Sequence, residues 1–132
     1  MILSFDEAGA WLDDMYEAFP ACFFKELNGG VALLPDVMRD PEFPDGDPVY
    51  FMGDYCDDML GKHIDLYYGS FAALAETENW TEEDWEDELW TTLAHELTHH
   101  VEGLAMVGDL DEQDAAELAE LRRRLAEDES QT

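Results

Sequence analysis

The sequence predicts an α+β fold, on three observations. Apolar residues recur three or four positions apart near both ends of the chain, the period of a helix with one buried face. Short runs rich in Val, Ile, Tyr and Phe lie between them and have the length and composition of strands. Gly and Pro punctuate the runs as turns, with no Gly/Ser linker and no internal repeat.

Each element has its own signal. Ser4 with Glu7 three residues on forms a capping box, and Ala8, Trp11, Leu12, Met15, Tyr16 and Phe19 follow at helical spacing. Pro20 re-aims this first helix, because its ring excludes the helical hydrogen bond. A short second helical piece is expected over Ala21 to Leu27, ended by the Asn28-Gly29-Gly30 turn. Val31 to Leu34 reads as a buried strand. Four Pro and an Asp45-Gly46 pair between Pro35 and Pro48 indicate a long loop. Val49 to Met52 with Tyr55 reads as a strand, Cys56-Asp57-Asp58 as an acidic stretch leaving it, and Gly61-Lys62 as a turn. His63 to Tyr68 alternates well enough to pair with the first run as a hairpin.

Phe71 to Glu76 is expected to be a short helix. Thr81 and Asp84 then cap the longest helix, whose acidic first turn suits the positive end of the helix dipole. Trp85, Leu89, Trp90, Leu93, Leu97, Val101 and Leu104 lie on one face of it, ending near Gly108. Asp111 or a neighbour caps a last helix carrying Leu118, Leu121 and Leu125. Arg122, Arg123 and Arg124 on it are expected to pair with Glu117 and Glu120 at helical spacing. Residues 1–127 are thus expected to form one domain, with 128–132 as a frayed tail.

Composition bounds the function. The 132 residues are 46% hydrophobic and 12% aromatic, enough for a packed core. Thirty-four acidic against six basic residues give a formal net charge of -28. Such a surface repels nucleic acid and anionic membranes, and solubility or salt adaptation accounts for it. Two cysteines, Cys22 and Cys56, are too few for a disulfide framework and lack metal-ligand spacing in sequence, so buried thiols are expected. The first residues carry no basic stretch and no apolar run is long enough for a bilayer, so the expected location is the cytoplasm.

One motif carries chemistry. His95-Glu96-Leu97-Thr98-His99 places two imidazoles one helical turn apart with a carboxylate beside them. Zinc takes neutral imidazole nitrogen at roughly 2.0–2.1 Å, and two His at i and i+4 can share one ion. Both fall roughly opposite the apolar face, so core and site separate on one helix. Glu96 is the candidate general base. His100, at the angle of Leu93 and Leu97, is expected to be a core histidine bonded to a backbone or carboxylate partner.

These residues resemble the small bacterial zincin-like metallopeptidases, whose hallmark is HExxHH near the end of a short domain. The matching text is Thr92 to His100, with Ile64 to Gly69 similar to the family's strand ending in a Tyr-rich segment. The resemblance implies a minimal zincin fold, a small sheet packed on the active-site helix, with zinc as cofactor and a peptide or protein as substrate. It makes His95 and His99 ligands and Glu96 the base. Family members commonly follow the double His with an aromatic residue, Gly and then an acidic residue; here Val101-Glu102-Gly103 extends the helix instead. The third metal ligand is then Glu102, which shares the His face at i+7 but sits about 10 Å along the axis from His95, or Asp109, beyond Gly108. The implied function is a zinc-dependent peptidase, and the alternative is an inactive zincin-fold binding or regulatory module with an empty or structural metal site.

Overall fold

The computed structural model describes residues 1–40, 49–59 and 61–130, so residues 41–48 of the expected long loop lie outside the described residues. Helix α1 spans Phe5–Ala18 and a 3-10 turn follows at Ala21–Phe24. Strands β1 (Gly30–Leu34), β2 (Met38–Arg39), β3 (Tyr50–Phe51), β4 (Gly53–Asp58) and β5 (Gly61–Tyr67) precede helices α2 (Tyr68–Glu78), α3 (Glu82–Met106) and α4 (Glu112–Ser130). The architecture is α+β.

The caps form as the sequence requires. In α1 the Ser4 hydroxyl accepts from the Glu7 amide at 3.1 Å while Glu7 Oε1 accepts from the Ser4 amide. In α3 Thr81 and Asp84 make the same reciprocal pair. Asp111 accepts from the Asp114 amide at 2.8 Å and so opens α4. Both α1 and α3 begin with acidic residues, where the exposed amides of the first turn favour negative charge.

The main sheet has the order β1-β5-β4, with β5 parallel to β1 and antiparallel to β4. Side chains alternate between its two faces. Val31 and Leu33 of β1, Ile64 and Leu66 of β5, and Gly53 and Tyr55 of β4 share one face by register, and Ile64 and Leu66 are fully buried there. Against it stands the apolar stripe of α3, Trp85, Leu89, Leu93, Leu97, Val101 and Leu104, each buried. Leu118, Leu121 and Leu125 of α4, with Phe23 and Leu27 from the turn after α1, complete this core. Phe71, Trp80 and Trp85 close one end of it, the two Trp rings meeting edge to face at 5.2 Å.

Several boundaries differ from the sequence expectation. The hairpin joins β4 to β5, and Cys56, Asp57, Asp58, Gly61 and Lys62 all lie in its ladder rather than in a turn. Asp58 lies on the face turned from α3, which can stay wet, while Asp57 and Lys62 alternate onto the other face but sit near the hairpin end, exposed and half-buried respectively. Tyr50 and Phe51 belong to a separate two-stranded sheet with Met38 and Arg39. Trp90 is only half-buried, stacked on Phe19 and covered by the Arg124 guanidinium at 4.6 Å from its ring centre. Helix α4 runs to Ser130. Its arginines divide their partners: Arg123 bonds Glu120 and Glu127, Arg122 reaches Glu102 on α3, and Arg124 covers Trp90.

Candidate active site

Helix α3 builds the site because its two faces have different tasks. With its apolar stripe pressed on the sheet, a rotation of about 100° per residue carries His95 and His99 to the outer side. His95 is half-buried and His99 exposed. Glu96 is half-buried between the two faces, beside the edge strand.

Gly53, the first residue of β4, makes that approach close. A methyl group at Gly53 would stand 3.0 Å from Thr92 Cγ2 of α3, 3.2 Å from the Asp65 carbonyl oxygen and 3.6 Å from Glu96 Cγ. Strand β4 therefore lies directly along the Thr92 and Glu96 flank of the helix. Partial burial holds the Glu96 carboxyl above the ordinary glutamate range; nearby His99 pulls it down and Asp54 pushes it up. A carboxyl so placed holds a proton more readily than an exposed one.

The neighbouring His100 is built differently. Its ring is buried, Nε2 donates to the Lys25 carbonyl at 2.7 Å, and Nδ1 accepts from the Tyr55 hydroxyl at 2.9 Å. A carbonyl can only accept, so the tautomer is fixed with its proton on Nε2. Burial keeps the ring neutral against the pull of the Lys25 carbonyl. This is the core histidine that its helical angle indicated.

The two sequence candidates for a third ligand go elsewhere. Glu102 Oε1 lies 3.0 Å from Arg122 Nη2, so an arginine on α4 holds the carboxylate that the angular count placed with the histidines. Asp109 is exposed beyond α3, its amide bonded back to the Leu104 carbonyl and its carbonyl accepting from Lys25 Nζ at 3.2 Å. Among the described residues, neither converges with His95 and His99 as a third donor. The length of α3 contributes: with helix continuing through Met106, Glu102 lies about 10 Å along the axis from His95 and Asp109 follows beyond the helix end.

A different trio does converge. One donor atom each from Cys56, His63 and Asp65 lie within 4.8 Å of one another on the sheet face turned from α3. Reading Cys56 as a buried thiol without metal spacing missed this group, since the residue is half-buried and its neighbours come from another strand. Counting back across the hairpin turn would have paired Cys56 with His63. The expected strand end at Cys56 hid that pairing.

A model of the zincin-like metallopeptidases matches residues 48–121, more than half of the chain. The chain belongs to this zincin-like metallopeptidase family. A solved structure of a conserved hypothetical protein from Thermo thermophilus is similar, with 33% sequence identity and a TM-score of 0.62. The likeness covers 77% of this chain and 97% of that one. No curated protein matches the chain. The fold is accordingly the minimal zincin fold, a small mixed sheet on a long helix with three further helices around it. Among the described residues no helix is long and apolar enough to cross a membrane.

Proposed function

We propose that this zincin-like chain is a zinc-dependent peptidase that hydrolyses a peptide or protein substrate in the cytoplasm. The observation that carries the reading is Glu96: a half-buried carboxyl beside His99, one residue from His95, against the first residue of an edge strand. The donor chemistry fits zinc, since two imidazoles at i and i+4 on one helix suit a borderline cation better than magnesium or calcium, which favour oxygen. His95 and His99 would hold the ion, which when bound supplies Lewis acidity toward a carbonyl oxygen and toward water.

The chain's own residues supply the rest. Glu96 accepts a proton from the attacking water at its carboxylate and delivers it to the leaving nitrogen. Strand β4 is at the edge of the sheet, so its outer backbone groups can bind an extended peptide as an added strand. Tyr67 lies in the central strand β5, and its hydroxyl donates to Asp54 Oδ2 at 3.2 Å. The net charge of -28 disfavours nucleic acid and anionic membranes as partners.

Glu96→Gln tests the assignment. Zinc content and melting temperature should match the parent, while peptide hydrolysis falls by about 10²–10⁴, the usual contribution of general acid–base catalysis. A variant that cleaves at the parental rate overturns it. A second reading, a binding module with an empty or structural metal site, is favoured by the capture of Glu102 by Arg122. Protein that cleaves no peptide and carries no zinc when purified without chelator would support that reading.

A further inference from the structure

The outer face of the sheet carries donors that peptide hydrolysis at Glu96 does not use. Cys56 and His63 are direct cross-strand partners, and Asp65 follows His63 by two residues on the same face. His63 Nε2 lies 3.4 Å from Asp65 Oδ2, and the Cys56 sulfur joins them within 4.8 Å. All three side chains are half-buried, anchored by a ladder that fixes their Cα positions while leaving one side open to solvent. Gly53 and Tyr55 point toward α3, where a Gly53 methyl would meet Thr92 and Tyr55 bonds His100. Cys56 therefore projects from the opposite face to the one on which α3 packs.

We propose that Cys56, His63 and Asp65 form a second metal site, which takes a divalent transition-metal cation of borderline softness such as zinc. Thiolate, imidazole and carboxylate together select zinc or a chemically similar ion, since a thiolate is a poor ligand for magnesium and calcium. Ligand atoms around tetrahedral zinc stand roughly 3.3–3.8 Å apart, given bonds of about 2.0–2.3 Å. Closing the trio thus takes side-chain rotation with the backbone left in place. Binding releases the thiol proton to solvent, and three protein donors leave a fourth position for water. The negative charges of Asp54 and Asp58 on the same strand draw a cation to this face. The site would staple β4 to β5, and so brace the strand that lies against Glu96.

Cobalt(II) alone is the probe, added to metal-stripped full-length protein, because thiolate ligation gives it a charge-transfer band that imidazole and carboxylate ligands do not. The band should be complete by about two equivalents in the parent, where His95 and His99 also take the ion, and by about one after the double substitution of His95 and His99 by Ala. It should vanish in Cys56→Ser, and His63→Ala should weaken binding by more than about tenfold, the cost already typical of losing a mere outer-shell partner. No band in the parent, or a band that persists in Cys56→Ser and so arises from Cys22, overturns the proposal. Asp65→Asn provides the same comparison if the serine variant does not fold: weakened binding supports the site and unchanged binding overturns it. The readout does not depend on hydrolysis, so an inactive Glu96 leaves it intact.

Discussion

At the scale of single residues, His99 and His100 show how one step along a helix changes a side chain's role. His99 is exposed and bears on Glu96, whereas His100 is sealed between Lys25 and Tyr55. The angular count on α3 was enough to separate them, because 100° per residue puts only one on the side of Leu93 and Leu97. Its partners could not be read that way, since Lys25 is 75 residues away in sequence. His100→Leu keeps the volume but orphans the Lys25 carbonyl and the Tyr55 hydroxyl. It should cost about 1–3 kcal/mol, the usual penalty for a buried polar group left unpaired, read as a lower midpoint in urea. A variant as stable as the parent would show that neither bond matters to the fold.

At the scale of elements, α3 combines three requirements in 25 residues: a capped start, a buried stripe and an outward motif. All three were legible because each is local. Its acidic first turns also carry a cost. The Glu88 carboxyl is pushed above the ordinary range, first by partial burial and then by Glu78, Asp87 and Asp84. A carboxyl raised on folding resists ionisation in the native state, so its effect is absent below the unfolded pKa, grows as a destabilisation while pH rises from that value to the folded one, and is complete above both. The residue is exposed enough for solvent to screen the charge, which keeps the gain modest. Glu88→Gln should raise the melting temperature at pH 7 by about one to two degrees, the yield of relieving a few tenths of a kcal/mol. The gain should disappear at about pH 3.5, where the unfolded carboxyl of about 4.3 is already protonated. An equal gain at both pH values would assign it to something other than charge.

The strands were less legible than the helices for a physical reason. Periodicity of two over five to seven residues is a short signal, and the wet face of β4 and β5 carries Asp54, Cys56, His63 and Asp65 where a strand reader expects turn residues. The register that pairs Cys56 with His63 depends on where the hairpin turns. A displacement of one residue would have scattered the trio across both faces.

For the whole molecule the strongest long-range influence is charge. With a net charge of -28 on 132 residues, the native state concentrates like charges that the unfolded chain can spread apart. Raising ionic strength shortens the Debye length from about 30 Å at 0.01 M to about 10 Å at 0.1 M. The melting temperature should therefore climb with sodium chloride over that range, by several degrees, in a thermal scan at fixed pH. A flat curve would show that the charges lie too far apart or too well paired to matter.

Composition and local pattern alone determined that this chain folds as an α+β domain, where its capped helices begin, and that His95 and His99 stand on the outer side of the longest one with Glu96 next to them in sequence. Those properties follow from residues within a few positions of each other, where backbone geometry sets the outcome. Tertiary structure decided what lies around them: Arg122 holding Glu102, Gly53 bringing the edge strand against Glu96, and Cys56 meeting His63 and Asp65 across a hairpin. Each is a contact between elements, fixed by packing and register, and a one-dimensional period carries no record of either.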